Sequence, residues 1–447
     1  MLNTKYAQYQ SMNPAPVRDK RKVSLGQVAK WGVPIGVVLG FLSGHALAAA
    51  AALLLVPFVI VAFAQPRIAL MITFALIPLG QSIPDLPIHL SISELCLAIL
   101  FPVCMLKTAQ MGKPIRMGPL FWPVMLYLFF CLISSLPHFH LHSPAITAYA
   151  QMVVYLVFGI MATASFPGGT DDLRFALEGA VGMAAIFAIM VLLTHFHYPL
   201  ANKNYWGAVF GSTFVMGLEF WMAARVAGDR KKARLLFWSL LLIGAALFLC
   251  LSRGGWGEAV AGSFVLLLLR RRFTLLLRIG LLMVPLIAVL WITLPKSDKT
   301  YAVNISTTSH STWTRIYDLK YAWAQYQTNP IFGVGVQLRK EMDATDLLMV
   351  TLAESGVQGV LAFLLIHAVA AGMAWKIHKR LDQRDPRFSL VAIGAALVFQ
   401  RFAHGMVDQY WCRGPLIWAW CAAGMMTAVW FEVRGAPRRS GIMGRER

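Results

Sequence analysis

The sequence predicts an all-α, polytopic membrane protein, and three observations carry that prediction. Hydrophobic residues make up 58% of the 447-residue chain and charged residues only 13%, whereas a soluble domain is nearer a quarter charged. Apolar runs of bilayer length, about 20 residues each, recur along nearly the whole chain. The basic residues are also sorted by side. With the N-terminus inside, 29 of the 40 Lys and Arg fall in inner tails and loops and nine fall outside, while Arg278 and Arg401 lie within spans. That asymmetry follows the positive-inside rule and puts both termini in the cytoplasm. It also explains the net charge of +20 without recourse to nucleic acid.

Taken in order, residues 1–30 form a basic tail with no signal-peptide pattern. Residues 31–295 carry about 11 spans: 31–44, 46–65, 68–81, 90–106, 119–136, 146–165, 174–194, 206–226, 235–251, 256–269 and 273–294. The first two make a hairpin turning near Ser43-Gly44-His45. Residues 296–346 form a long outer loop. About three more spans follow in 347–432, at 347–374, 388–409 and 414–432, bringing the total to about 14. Residues 433–447 are a second basic tail. The six cysteines lie in or at the ends of apolar runs without CxxC spacing, and read as small hydrophobes.

The outer loop stands apart because a long connection between otherwise tightly linked spans is usually functional or disordered. Its middle, STWTRIYDLKYAWAQYQTNP, places Ile316, Leu319, Trp323 and Tyr326 at helical spacing. This predicts an amphipathic helix on the membrane surface or over a cavity, capped by Ser311 or Thr312 and ended before Pro330. A helix that merely plugs the bundle has the same pattern. No internal repeat of the kind common in transporters is visible.

Ionisable residues inside apolar spans usually face a cavity or a partner. Here they are Glu94, Glu178, Glu219, Glu258, Glu354, Arg401 and Asp408. Arg253, in LSRGGWGEAV, sits where two spans meet at the outer surface. It is either a snorkelling arginine or an anion ligand. Gly254 and Gly255 remove side-chain bulk beside it at the start of a helix, as an anion site requires. Arg315 alone reads as a solvated residue that pairs with Asp318. Asp343 and Asp346 either cap the following span or orient a sugar hydroxyl. Glu354, beside Gly356 and Gly359, suits a buried strut. His404 and Asp408, four apart, are either an acid–base pair or a buried hydrogen bond, with Arg413 beyond them. Arg339 completes the outer-side arginines. His138, His140 and His142 lack the acidic or cysteine partners a metal site would add, and Asn304-Ile305-Ser306 matches a glycosylation sequon.

Three segments in order carry a resemblance: LSRGGWGEAVAGSFVLLLLRRR, TRIYDLKYAWAQYQTNPIFGVGVQ and TDLLMVTLAESGVQGVLAFLL. Together with NKNYWGAVFG, they resemble the O-antigen ligase / O-antigen polymerase family. That family shows SRG at an outer span junction, an outer-loop arginine before NPxxGxG, a span opening with HNLxLxxLAExGxxG, and an earlier NPNxxG. The resemblance implies a metal-independent, cofactor-free glycosyltransferase of GT-C type in a bacterial inner membrane, with its site facing the periplasm. Its donor and acceptor would be undecaprenyl-diphosphate-linked glycans, among membrane lipids and beside a chain-length regulator and flippase of the same pathway. It assigns Arg253 and Arg315 to the lipid diphosphate and makes Asn204, in the NPNxxG-like stretch, a further substrate-binding candidate. Ligases carry histidine where this chain has Thr345, with Asp346 replacing the asparagine. That departure favours a polymerase of exopolysaccharide or O-antigen repeat units over a ligase that loads lipid A–core. Asp346 is then the first candidate base, with His404 and Asp408 second. A transporter or flippase of lipid-linked sugars is the reading from another class.

Overall fold

A computed structural model describes residues 46–80, 90–140, 143–194, 203–294, 296, 299–300, 310–341, 346–408, 410–411 and 414–435. The expected span 31–44, the hairpin at 43–45, Asp343, Thr345, Arg413 and the sequon at Asn304 lie outside them. The chain divides into two units, 1–60 and 61–447. The described part of the first unit is helical from Ala46, within α1 (Ala46–Ala64).

Unit two is helical among the described residues, as its composition predicts. Nine of its helices are long and apolar enough to cross a membrane, so the protein is a multi-pass membrane protein. The helices are α2 (Pro66–Ala75), α3 (Ile92–Gln110), α4 (Phe121–Ser135), α5 (Pro144–Ala164), α6 (Thr170–Thr194), α7 (Lys203–Val226) and α8 (Arg230–Leu249). They continue with α9 (Arg253–Leu269), α10 (Phe273–Thr293), α11 (His310–Thr328), α12 (Leu338–Glu341), α13 (Leu347–His378), α14 (Arg387–Gly405) and α15 (Pro415–Gly435). The span expected at 68–81 is instead α2, 10 residues long. It gives way to a 3-10 turn at Ile77–Leu79, and Pro78 and Gly80 account for the early stop. It is too short to cross a bilayer alone.

The centre of the bundle is α7, α9, α14 and α15. α14 packs on α15 and α9, and α7 packs on α8 and α9. Small residues permit the close approach, as in other membrane helix pairs. A Cβ on Gly255 would lie 2.7 Å from the Gly207 backbone, and one on Gly394 would lie 2.7 Å from the Ala422 carbonyl oxygen. α11 spans the stretch expected to be helical, but it begins at His310. Ser311 and Thr312 lie within its first described turn. Its protein-facing side is Asp318, Ala322 and Tyr326, with Ala322 packed against Leu338 and Ala353. The expected apolar stripe of Ile316, Leu319 and Trp323 is exposed.

α13 is interrupted inside the bundle. Gly356 has φ 67° and ψ −174°, a conformation open to glycine and strained for other residues. In a membrane the backbone groups freed by such a break need partners. The segment Asn329–Val336 supplies them. Val334 N–H donates to the Ala353 carbonyl (2.9 Å), Gly335 N–H donates to Glu354 (3.0 Å), and Val357 N–H donates to Pro330 (3.1 Å). Val336 N–H donates to the Ser135 hydroxyl on α4 (3.0 Å). NPIFGVG and LAESG are thus two halves of one backbone joint.

A Cβ on Gly356 would collide with the Ile331 carbonyl, whereas nothing lies within 4 Å of one on Gly372. Gly356→Ala is expected to lose at least about 1–3 kcal/mol, and Gly372→Ala to be neutral or slightly stabilising. Thermal unfolding of the detergent-solubilised variants, followed by size exclusion, checks both.

Candidate active site at the start of α9

The junction LSRGGWGE is a tight corner between α8 and α9. Cys250 ends α8, Leu251 takes a left-handed φ of 51°, and the Ser252 hydroxyl caps α9 by accepting from Gly255 N–H (3.2 Å). Trp256 folds back, donating its indole N–H to the Leu247 carbonyl (2.9 Å) and stacking on Phe248. Arg253 is therefore the first residue of α9, half-buried, where the positive end of the helix dipole also lies.

The glycines have definite neighbours. Gly255 rests on Gly207 of α7, and Gly254 faces His404 and Asp408. A Cβ on Gly254 would lie 2.8 Å from His404 Nε2 and 3.2 Å from Asp408 Oδ2. The sequence attributed the pair to room for an anion. The packing shows that they also bring the α9 terminus against the imidazole.

His404 is buried near the end of α14. The helix stops at Gly405, yet Asp408 N–H still donates to the His404 carbonyl (2.9 Å), and Asp408 Oδ2 lies 3.7 Å from Nε2. The predicted pairing survives in a turn. Nδ1 faces the Glu258 carboxylate. The Nδ1–H tautomer suits that contact, since an ionised carboxylate only accepts, and Nε2 lies toward Gly254 and Asp408.

Glu258 is the hub of this arrangement. It is fully buried one turn into α9 and accepts from Ser212 Oγ (2.8 Å), Gln400 Nε2 (2.9 Å) and Arg401 Nη1 (3.0 Å) besides His404. Arg401, also fully buried, donates onward through Nη2 to the Tyr410 carbonyl (2.9 Å). Sequence reasoning marked Glu258 and Arg401 as intramembrane charges but did not pair them. They are 143 residues apart, and local spacing carries no such information.

A second buried pair organises the loop. Arg339 on α12 donates its backbone N–H (2.9 Å) and Nε (2.8 Å) to Glu354 Oε1, and its Nη2 reaches Oε2. Its guanidinium lies over Trp411, 4.3 Å from the ring centroid. Burial opposes its charge, but the Glu354 carboxylate outweighs that and holds its pKa above the usual arginine value. Glu354 is therefore the expected strut. The Arg339 guanidinium, read from sequence as a substrate ligand, is already engaged by it. Next to it, Lys340 donates to Gln151 (2.6 Å), which donates to Glu94 (3.2 Å).

The remaining candidates lie on α11, α13 and α7. Asp346 caps α13, its side chain accepting from Met349 N–H (3.0 Å). Arg315 is half-buried on α11, which packs on α13. Asn204 is half-buried in the first turn of α7.

Fold and site together define a multi-pass helical membrane protein with buried, paired charges behind one helix terminus. In comparison with known families, residues 238–348, about a quarter of the chain, match the family model described as O-Antigen ligase. That stretch contains Arg253, Glu258, Arg315 and Arg339. No curated protein matches the chain.

Removing one member of a buried ion pair leaves the other charge uncompensated. Glu258→Ala is expected to cost about 3–5 kcal/mol, and Glu258→Gln combined with Arg401→Met is expected to recover part of that loss. Melting temperatures of the purified variants measure the difference.

Proposed function

We propose that the protein is a glycosyltransferase that moves a glycan from a lipid diphosphate carrier onto an acceptor hydroxyl, in the manner of an O-antigen ligase. One observation carries this reading: the N-terminus of α9, which begins at Arg253 within the stretch similar to that family, packs through Gly254 against His404. The family description favours a ligase over the polymerase suggested by sequence. The acceptor would then be lipid A–core and the donor an undecaprenyl-diphosphate-linked glycan. The sorting of basic residues supports cytoplasmic termini, with this site at the periplasmic face.

In the proposed reaction, the acceptor oxygen forms a bond to the anomeric carbon as the bond from that carbon to the diphosphate breaks. Negative charge grows on the departing diphosphate. A guanidinium fork and a helix N-terminus suit it, because both are fixed before the charge develops. Arg253 and Arg315 fill that role. The Ser252 hydroxyl already takes the Gly255 N–H, so the guanidinium groups and the dipole carry most of it. The acceptor proton goes to His404 Nε2, with Nδ1–H anchored on Glu258, or to Asp346. Gly254 and Gly255 let the α9 terminus approach, and Asn204 lies near the start of the neighbouring α7.

Polymerisation of lipid-linked repeat units is the second reading. Asp346 after Thr345, in place of the ligase histidine–asparagine, favours it. The products separate the two: cells lacking a ligase accumulate long lipid-linked glycan, whereas cells lacking a polymerase accumulate single repeat units.

Arg253→Ala and Arg315→Ala are each expected to lower glycan transfer at least a hundredfold (~2.7 kcal/mol or more) while the protein still inserts. Purified variants given lipid-linked glycan and acceptor in detergent, with products resolved on gels, provide the assay. Normal transfer by either variant removes that arginine from the diphosphate. Asp346→Asn separates two roles for that residue, because asparagine caps a helix as well as aspartate does but is no base. Unchanged melting with lost transfer supports the base, and unchanged transfer leaves only the cap.

A further inference from the structure

A second basic feature lies at the other end of α7 and α8, about 30 Å from Arg253 along the length of α8. α10 packs mainly on α8 and α9, leaving a cavity of about 950 Å³ between α7, α8 and α10. Five arginines line it: Arg225, Arg230, Arg234, Arg272 and Arg278. All five are exposed. Asp229 is the one carboxylate among the lining residues, and it caps α8 by accepting from Lys232 N–H (2.9 Å). The walls are apolar, with Phe214, Leu218, Trp221, Phe237 and Leu240 among them. Arg225 lies over the Trp221 ring, 5.5 Å from its centroid, which keeps its guanidinium at the cavity wall.

We infer that this cavity is a binding site for a phosphate-bearing membrane lipid, with the phosphate on the arginines and the chains along the apolar walls. Arginines scattered on a basic face would need no cavity, and a cavity for a neutral chain would need no arginines. Here an apolar cleft between spans opens among five cations from three helices, the combination that recognises anionic head groups. Arginine also suits phosphate geometry better than lysine does. The volume is of the size that small-molecule sites use. Nothing in this inference depends on the glycosyl-transfer reading.

Native mass spectrometry of the detergent-purified full chain tests it, with tetraoleoyl cardiolipin, dioleoyl phosphatidylglycerol and dioleoyl phosphatidylcholine as probes. The wild type is expected to retain cardiolipin or phosphatidylglycerol at least tenfold more than phosphatidylcholine. The triple variant R225Q/R230Q/R234Q is expected to lose that preference while remaining monodisperse. R380Q/R384Q, which removes two arginines of the connection between α13 and α14, is the control and is expected to keep it. Equal loss in the control would reduce the effect to general charge and overturn the site. Equal retention of all three lipids by the wild type would overturn it as well. Inorganic phosphate distinguishes a lipid from a free anion. Displacement of bound lipid only at tens of millimolar phosphate supports the lipid, whereas displacement at micromolar phosphate assigns the cavity to a soluble anion.

Discussion

A charge inside the bilayer must meet its counter-charge within the protein, and the arrangement of α7, α9 and α14 follows from that constraint. Glu258 alone in α9 would be untenable in hydrocarbon. With Ser212 from α7 and Gln400, Arg401 and His404 from α14, its oxygens are satisfied by two neighbouring helices at once. The register of each helix against the others is then fixed, because sliding any of them by one residue strands a buried charge. Apolar packing between membrane helices resembles packing against lipid and discriminates poorly between registers. The polar hub supplies the discrimination, and the glycine contacts at Gly207 and Gly255 set how closely the helices approach.

The same constraint accounts for the second half of the molecule. Breaking α13 at Gly356 exposes carbonyls that lipid cannot satisfy. The loop residues Val334 and Gly335 cover them, and the Arg339–Glu354 pair holds α12 beside the break. A helix break that only glycine tolerates and a buried ion pair are costly features to keep together. Their joint effect is to bind the long loop to the membrane bundle at one defined place, so that α11 rests on α13 with its exposed Ile316, Leu319 and Trp323 turned outward. The loop is therefore an ordered part of the bundle where it meets α13.

How much of this was legible in the sequence depends on the range of the interaction. Helix positions were, because apolar length and basic flanks are local; α7, α8 and α13 start and end within a few residues of expectation. The α11 helix was visible from its period, but not the face it buries, since Asp318 and Ala322 are chosen by the partner α13 and not by hydrophobicity. The His404–Asp408 pairing was visible because the two are four residues apart. The Glu258–Arg401 and Arg339–Glu354 pairs were not, although all four residues drew attention as ionisable groups. One signal was available and went unused: unpaired intramembrane charges of opposite sign must find one another, and Glu258 with Arg401 was one such combination.

In the proposed reaction the hub has a second role, because it holds an imidazole in one orientation before any substrate arrives. A histidine free to flip offers either nitrogen and loses rate to the wrong rotamer. With Nδ1 on Glu258, His404 offers Nε2 alone, directed at the terminus where Arg253 sits. Gly254 is then as much a part of this orientation as Glu258. A side chain at that position would push against Nε2 while the carboxylate holds Nδ1, leaving the ring no position that satisfies both. That geometry links the SRG motif to a residue about 150 positions later, and it explains in steric terms why the residue after Arg253 is a glycine.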